Sequence, residues 1–183
     1  MKGLVSFSLF IVIAIIVWWS ITGDFSGRQL QQTSNKPYLK IFMNDFELTA
    51  MDENGEPGYI LHGSRLQQFN NSEDTEIEQP VFHLLQKGAQ WKITADNAIL
   101  SNKNKTIRLN NNVFMQQQNI EPAVSIRTQT LLVHTDTQIA QTKALINFTQ
   151  GLSQMKSNGM IFNNITSELE LLSNVNGVLL PYE

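Results

Sequence analysis

Three histidines, His62, His83 and His134, and two runs of carboxylates are the side chains here with the chemistry for acid–base or metal work. A metal site built from one element needs ligands at i, i+2 or i, i+4, so that donor atoms converge. The three histidines stand far apart and none has another histidine at such a spacing. They read as surface residues, or as residues satisfied by local hydrogen bonds. Asp45, Glu47, Asp52, Glu53 and Glu56 flank a turn signal at Asn54-Gly55, and Glu73, Asp74, Glu76 and Glu78 form a second acidic patch. Carboxylates in such runs are solvated, and they also guard strand edges against unwanted pairing. There is no Gly-x-Ser-x-Gly elbow, no phosphate-binding loop and no dinucleotide fingerprint. The absence of cysteine excludes disulfides, thiolate chemistry, cysteine zinc sites and a lipoprotein anchor. The sequence therefore predicts no catalytic set, no cofactor and no metal: not an enzyme.

The elements that carry these residues fall into two parts. The chain has 183 residues and a formal charge of -3, with none of the basic surplus that nucleic-acid binding needs. Much of its 42% hydrophobic content lies in Leu4 to Ile21, whose polar members are uncharged serines. As a helix this segment spans about 27 Å at roughly 1.5 Å per residue, close to the thickness of a bilayer core. Trp18 and Trp19 stand at its far end, where an aromatic belt sits. Lys2 favours an N-terminus inside. Arg28, Lys36 and Lys40 weigh the other way, but a first span with no domain before it is threaded as a signal anchor. The run is longer than a signal-peptide core and no Ala-x-Ala cleavage site follows it. The expected organisation is a transmembrane anchor over 1–22, a polar linker over 23–37 and one β-domain over 38–183.

From Tyr38 onward the apolar residues alternate with period two, as in Trp91-Lys-Ile93-Thr-Ala95 and Ile107-Arg-Leu109. Turn signals interrupt the pattern at Asn54-Gly55, Asn70-Asn71, Lys87-Gly88, Asn102 to Asn104 and Asn158-Gly159. A repeat lies beneath. Tyr59-Ile-Leu61-His-Gly63 aligns with Trp91-Lys-Ile93-Thr-Ala95, with Val124-Ser-Ile126-Arg-Thr128 and, more loosely, with Ser153-Gln-Met155-Lys-Ser157. Each copy leads to a second strand carrying Val81, Val113, Ile146 or Val175, and the copies stand about 32, 33 and 29 residues apart. Two-strand units of this kind cannot bury an apolar face alone, so neighbours must cover it. Two facing antiparallel sheets follow: a sandwich, jelly roll or solenoid. Gly63, Ala95, Thr128 and Ser157 share one place in the template. Such a stripe of small residues either leaves a space between the sheets or is filled by Phe46, Phe82 or Phe148 from opposite.

Trp91-Lys-Ile-Thr-Ala-Asp-Asn-Ala98 followed by Ile107-Arg-Leu-Asn-Asn-Asn-Val113 resembles the lipopolysaccharide export protein family LptC. The likeness extends over the whole chain, through Gln79-Pro80-Val81, Ile126-Arg-Thr128 and Ser157-Asn-Gly159-Met160. It implies an all-β fold, a twisted half-open jelly roll with one N-terminal transmembrane helix, whose two sheets enclose a groove for acyl chains. It implies as partners lipopolysaccharide, the inner-membrane ATP-driven extractor with its permease subunits and ATPase, and the periplasmic bridge protein. Docking would run edge to edge, through Leu39 to Met51 and Ser167 to Leu180. Phe46 and Ile77 match groove positions of the family. Parity adds Leu61, Trp91, Ile93, Ala95, Ile107, Leu109, Val113, Ile126 and Ile146 as lipid-contacting residues. Gly151 and Gly159 match family glycines, with a structural or docking role; a strand end needing positive φ accounts for them equally well. The rival reading is a membrane-anchored structural adaptor with a filled sandwich core.

Overall fold

A computed structural model describes residues 36–51, 55–85 and 90–180. The apolar segment 1–22 and all but the last two residues of the linker lie outside them. Among the described residues there is no helix, hence none long and apolar enough to cross a membrane. They form eleven strands: β1 (Leu39–Met51), β2 (Pro57–Phe69), β3 (Asp74–Glu78), β4 (Val81–Leu84), β5 (Gln90–Thr94), β6 (Asn97–Ser101), β7 (Thr106–Gln118), β8 (Val124–His134), β9 (Ile139–Gln150), β10 (Ser153–Asn163) and β11 (Glu168–Val178). All pairings are antiparallel and all strands belong to one sheet. The all-β expectation holds.

The sheet is folded on itself, as in a β jelly roll. β2 pairs with β4 through Tyr59–His62 and with β3 through Arg65–Gln67. β7 likewise pairs with β6 through its first half and with β5 through its second. β3 with β4, and β5 with β6, are thus two long strands broken in the middle. The breaks line up with bends in the unbroken strands. Asp45 in β1, Asn111 and Asn112 in β7, Gly159 in β10 and Asn174 in β11 all have positive φ, as does Gln79 between β3 and β4. Apart from Gln79, these are Gly, Asn and Asp, the residue types that accept left-handed backbone most readily. The β7–β8, β8–β9 and β9–β10 ladders shift register at the same level. Together these positions form a crease that divides the sheet into two halves.

Hydrogen bonds tie the crease where ladder pairing stops. Gln79 N–H donates to Asp96 O at 2.8 Å, Asp96 N–H to Asn111 O at 3.0 Å, and Asn112 Nδ2 to Asp96 Oδ2 at 2.8 Å. Thr128 Oγ1 donates to Leu145 O at 3.0 Å and Ser157 Oγ to Gly159 O at 2.7 Å. Backbone groups that the bulges would leave unpaired are satisfied this way. Pro80 follows Gln79 and lacks an N–H to donate, which suits a broken strand.

The four repeat copies begin in β2, β5, β8 and β10, so each unit is an up-and-down strand pair. Their shared small position, Gly63, Ala95, Thr128 and Ser157, falls along the crease. One turn signal is corrected: Asn158-Gly159 lies inside β10, at the bulge, rather than between strands. The β10–β11 turn comes later, at residues 164–167, and the Asn70-Asn71 and 102–105 turns stand where the sequence places them.

Candidate interior site

Both halves of the sheet turn an apolar face inward, and cross-strand registers order each face into a row. Beyond the crease toward one end, Leu48, Leu61, Phe82, Ile93, Met115, Ile126, Phe148 and Met155 stand side by side from β1 to β10. On the other half, Met43, Leu66, Ile77, Ala98, Leu109 and Leu131 are successive partners from β1 to β8. Phe46, Leu61, Ile77, Trp91, Ile93, Ile107, Leu109, Val113, Ile126 and Ile146 all lie in one buried cluster. Ala95 packs against it, half-buried, in the corner between β5 and β6.

This interior is packed. Ile93, Ile107, Leu109, Ile126 and Ile146 are 0% exposed. A Cβ placed on Gly63 would stand 2.6 Å from Phe46 Cε1 and 2.9 Å from Ile77 Cγ2. Phe46 is also the register partner of Gly63. The gap that the smallest residue of the stripe opens is therefore occupied by the Phe46 ring. Gly159 has φ +85, and Thr142 O would lie 2.9 Å from its Cβ; Gly151 has φ 57 in the β9–β10 turn. Both glycines meet a backbone requirement.

At the ends remote from the crease the two halves meet as a mouth. Trp91 of β5 and Phe162 of β10 stack with centroids 4.9 Å apart. Beside them is a cavity of about 60 Å³ lined by Tyr59, Phe82 and Leu84 from one half and Val133, His134 and Gln138 from the other. Trp91 Nε1 and Asn164 Oδ1 are buried and have no hydrogen-bond partner.

Titratable residues keep to the outside or the strand ends. His62 Nδ1 lies 3.4 Å from Glu47 Oε2, and the His62 and His83 rings meet edge to face at 5.7 Å. Burial, then the neighbouring charges of His62 and Lys92, holds His83 below its usual pKa. His134 shares a 3.1 Å contact with Gln141. Among the described residues no three His, Asp or Glu side chains gather closely enough to hold a metal ion.

The sequence pattern missed Leu66, Ala98, Leu131, Met160 and Phe162 as interior residues, whereas Phe82, expected as a filling side chain, is buried. A signal existed: Asn and Gly tokens inside apolar runs mark bulges, and a bulge shifts which parity faces in. In β8 the inward residues are Ile126 and Thr128 before the crease but Leu131 and Val133 after it.

The sequence model of the lipopolysaccharide-assembly, LptC-related family matches residues 9–180. The chain belongs to that family. It is thereby a component of lipopolysaccharide transport, in a family of transport proteins rather than enzymes. No curated protein sequence matches the chain. Among solved structures, LptH from Pseudomonas aeruginosa, titled the LptA-homologous periplasmic component of the conserved lipopolysaccharide transport device, is similar over 77% of this chain and 94% of its own, at 10% identity and a TM-score of 0.46.

Proposed function

We propose that this LptC-family chain is the inner-membrane carrier of its export system, taking lipopolysaccharide from the ATP-driven extractor and passing it to the periplasmic bridge protein. The segment 1–22 anchors it, 23–37 tethers, and the β-domain holds the acyl chains between its two half-sheets. The observation that carries this reading is the apolar row running unbroken from β1 to β10, with the charged side chains kept outside the buried cluster. Each methylene left in water costs about 0.8 kcal/mol, so a chain of a dozen costs on the order of 10 kcal/mol. An apolar interior removes that cost, and carriers of equal affinity exchange the lipid almost without net change. The directional work belongs to the ATPase partner, because this sequence carries no nucleotide motif.

The two edges supply the docking. Among the described residues β1 pairs only with β2 and β11 only with β10. Their free sides offer unpaired backbone groups for strand addition. Both edges also expose apolar side chains, Leu39, Ile41 and Phe42 on one and Leu172, Val175 and Val178 on the other.

The packed interior favours a second reading, the membrane-anchored adaptor that binds proteins and leaves lipid to others. Photocrosslinking separates the two. Phe46 and Trp91 are each replaced by a benzophenone amino acid, close in shape to the aromatic it replaces, in cells making lipopolysaccharide. Lys92 and Arg108, on the outer face, are the controls. Adducts at Phe46 and Trp91 alone, dependent on a working ATPase, support the carrier. A folded, membrane-bound chain with no adduct at any position leaves the adaptor.

A further inference from the structure

Strands β7 to β10 carry no carboxylate, and their outer face presents four exposed cations, Arg108, Arg127, Lys143 and Lys156. The strand carboxylates all stand on β1, β3 and β11. Cations that serve only solubility are interspersed with carboxylates. Here Arg108 and Lys143 have no ion-pair partner among the described residues.

The face is also hollow at these two residues. The β8–β9 ladder stops between the pairs Arg127–Asn147 and Leu132–Gln141. Beside this gap lies a cavity of about 460 Å³, within the range of about 300–1,000 Å³ usual for small-ligand sites. Arg108 and Lys143 line it together with Leu131, Leu132, Ile161 and Leu172. Arg108, Leu132, Gln141 and Ile161 are successive register partners and form one row. Lys143 stands two residues beyond Gln141 and so shares its face. Strand spacing places the Cα atoms of Arg108 and Lys143 about 12 Å apart, and both side chains are long enough to turn onto one anion between them. The carboxylates on this row are Glu76, partner of Ile99 next to Arg108, and Glu170, partner of Ile161; neither lines the cavity. Across the crease Arg127 is engaged otherwise, its guanidinium 4.6 Å from the centroid of the Phe114 ring.

Two free cations beside an apolar wall fit a ligand with an anionic head and a hydrocarbon body. Both cations sit on strands interior to the sheet, so they offer no strand edge to a peptide. We propose that this outer-face cavity is a headgroup site for an anionic phospholipid, with the phosphate between Arg108 and Lys143 and the glycerol and first methylenes against Leu132, Ile161 and Leu172. The site lies on the opposite face from the buried interior and does not rest on the carrier reading. A benzophenone at Arg108 itself deletes one of the two cations, so that position remains a control for the interior.

The test places a benzophenone amino acid at Leu172 in the full-length chain, held in dodecyl maltoside micelles containing phosphatidylglycerol or phosphatidylcholine. Lipid adducts are read by intact mass. Phosphatidylglycerol is expected to label about tenfold more than phosphatidylcholine. With Arg108→Gln and Lys143→Gln together the ratio is expected to fall toward one. Arg127→Gln with Lys156→Gln removes the same charge across the crease and is expected to keep the ratio; all four side chains are exposed, and an unchanged urea midpoint confirms each fold. Equal labelling by the two lipids, or labelling by neither, overturns the site. An equal fall in both double variants also overturns it and assigns the preference to the basic face as a whole. Labelling by phosphatidylglycerol that millimolar inorganic phosphate abolishes overturns the lipid as the source of the anion. In cells, an adduct at Leu172 to an acidic protein in place of a lipid overturns it as well. None of these failures touches the interior, so the carrier reading is judged separately by its own adducts at Phe46 and Trp91.

Discussion

Gly63→Ala is the smallest change that tests how the crease is packed. The new Cβ would stand 2.6 Å from Phe46 Cε1, 2.8 Å from Phe46 Cζ and 2.9 Å from Ile77 Cγ2. Carbon atoms rest at about 3.5–4.0 Å, so the Phe46 ring must withdraw by about 1 Å. Ile77, fully enclosed, has nowhere to go. Overfilling of this kind costs about 1–3 kcal/mol. Replacing Gly with Ala also narrows the unfolded ensemble, worth about 0.4–1 kcal/mol in the opposite direction. The expected net loss is about 0–2.6 kcal/mol, read as a lower urea midpoint by circular dichroism on the full-length chain in detergent micelles. Phe46→Ala alone is costly, since it empties a space over Gly63. In the double variant the added methyl fills part of that space and no longer meets a ring. The two losses should therefore combine to less than their sum, with a coupling of about 1–2 kcal/mol. Additive losses in the double variant would refute the claim that Phe46 fills the gap above Gly63.

Gly159→Ala forces a methyl toward Thr142 O, 2.9 Å away, on a residue with φ +85. It should cost about 1–3 kcal/mol. Gly151→Ala meets the φ penalty of a turn, about 1–2 kcal/mol; a larger loss there than at Gly159, in the same urea assay, counts against the bulge as the reason for Gly159. His83 has a folded pKa below its usual value near 6.5. The unfolded chain therefore takes up the proton first, so stability is full above about pH 6.5 and declines as the pH falls through that value toward the folded pKa. His83→Gln should flatten this part of a stability–pH profile; an unchanged slope would assign the proton to another group.

Much of the fold was written in the sequence at the level of strands. Period-two alternation marks Trp91-Lys-Ile93 and Ile107-Arg-Leu109 because one side of the sheet is dry and the other wet. The edges Leu39 to Met51 and Ser167 to Leu180 agree with β1 and β11 to within two residues. The crease was harder to read. Gly63, Ala95, Thr128 and Ser157 are aligned in the repeat because they line up in space, but the pattern is silent on what faces them. That depended on Phe46, which comes from outside the repeat, on the edge strand. Parity carries across the crease in β7, where the residues between Leu109 and Val113 keep the odd positions inside, but not in β8, where the inward parity changes, so Val113 and Ile126 were found and Leu131 was not.

A packed interior and a carrier role are compatible when the two ends of the fold differ in strength. At the crease the halves are joined by continuous chain and by the bonds from Gln79, Asp96 and Asn112. At the mouth they are joined by side-chain contact, chiefly Trp91 on Phe162, around a cavity of about 60 Å³. An aromatic pair contributes about 0.5–1.5 kcal/mol beyond its buried area. No backbone ladder has to break for the mouth to part, whereas opening the crease would break several. On the carrier reading proposed above, an entering acyl chain would restore apolar contact as it displaces it, so that the cost of opening is offset methylene by methylene. The orphaned Trp91 Nε1 and Asn164 Oδ1 lower the cost further, because parting the mouth lets them reach water. The seam that closes the empty domain is thus also the place where it yields most readily.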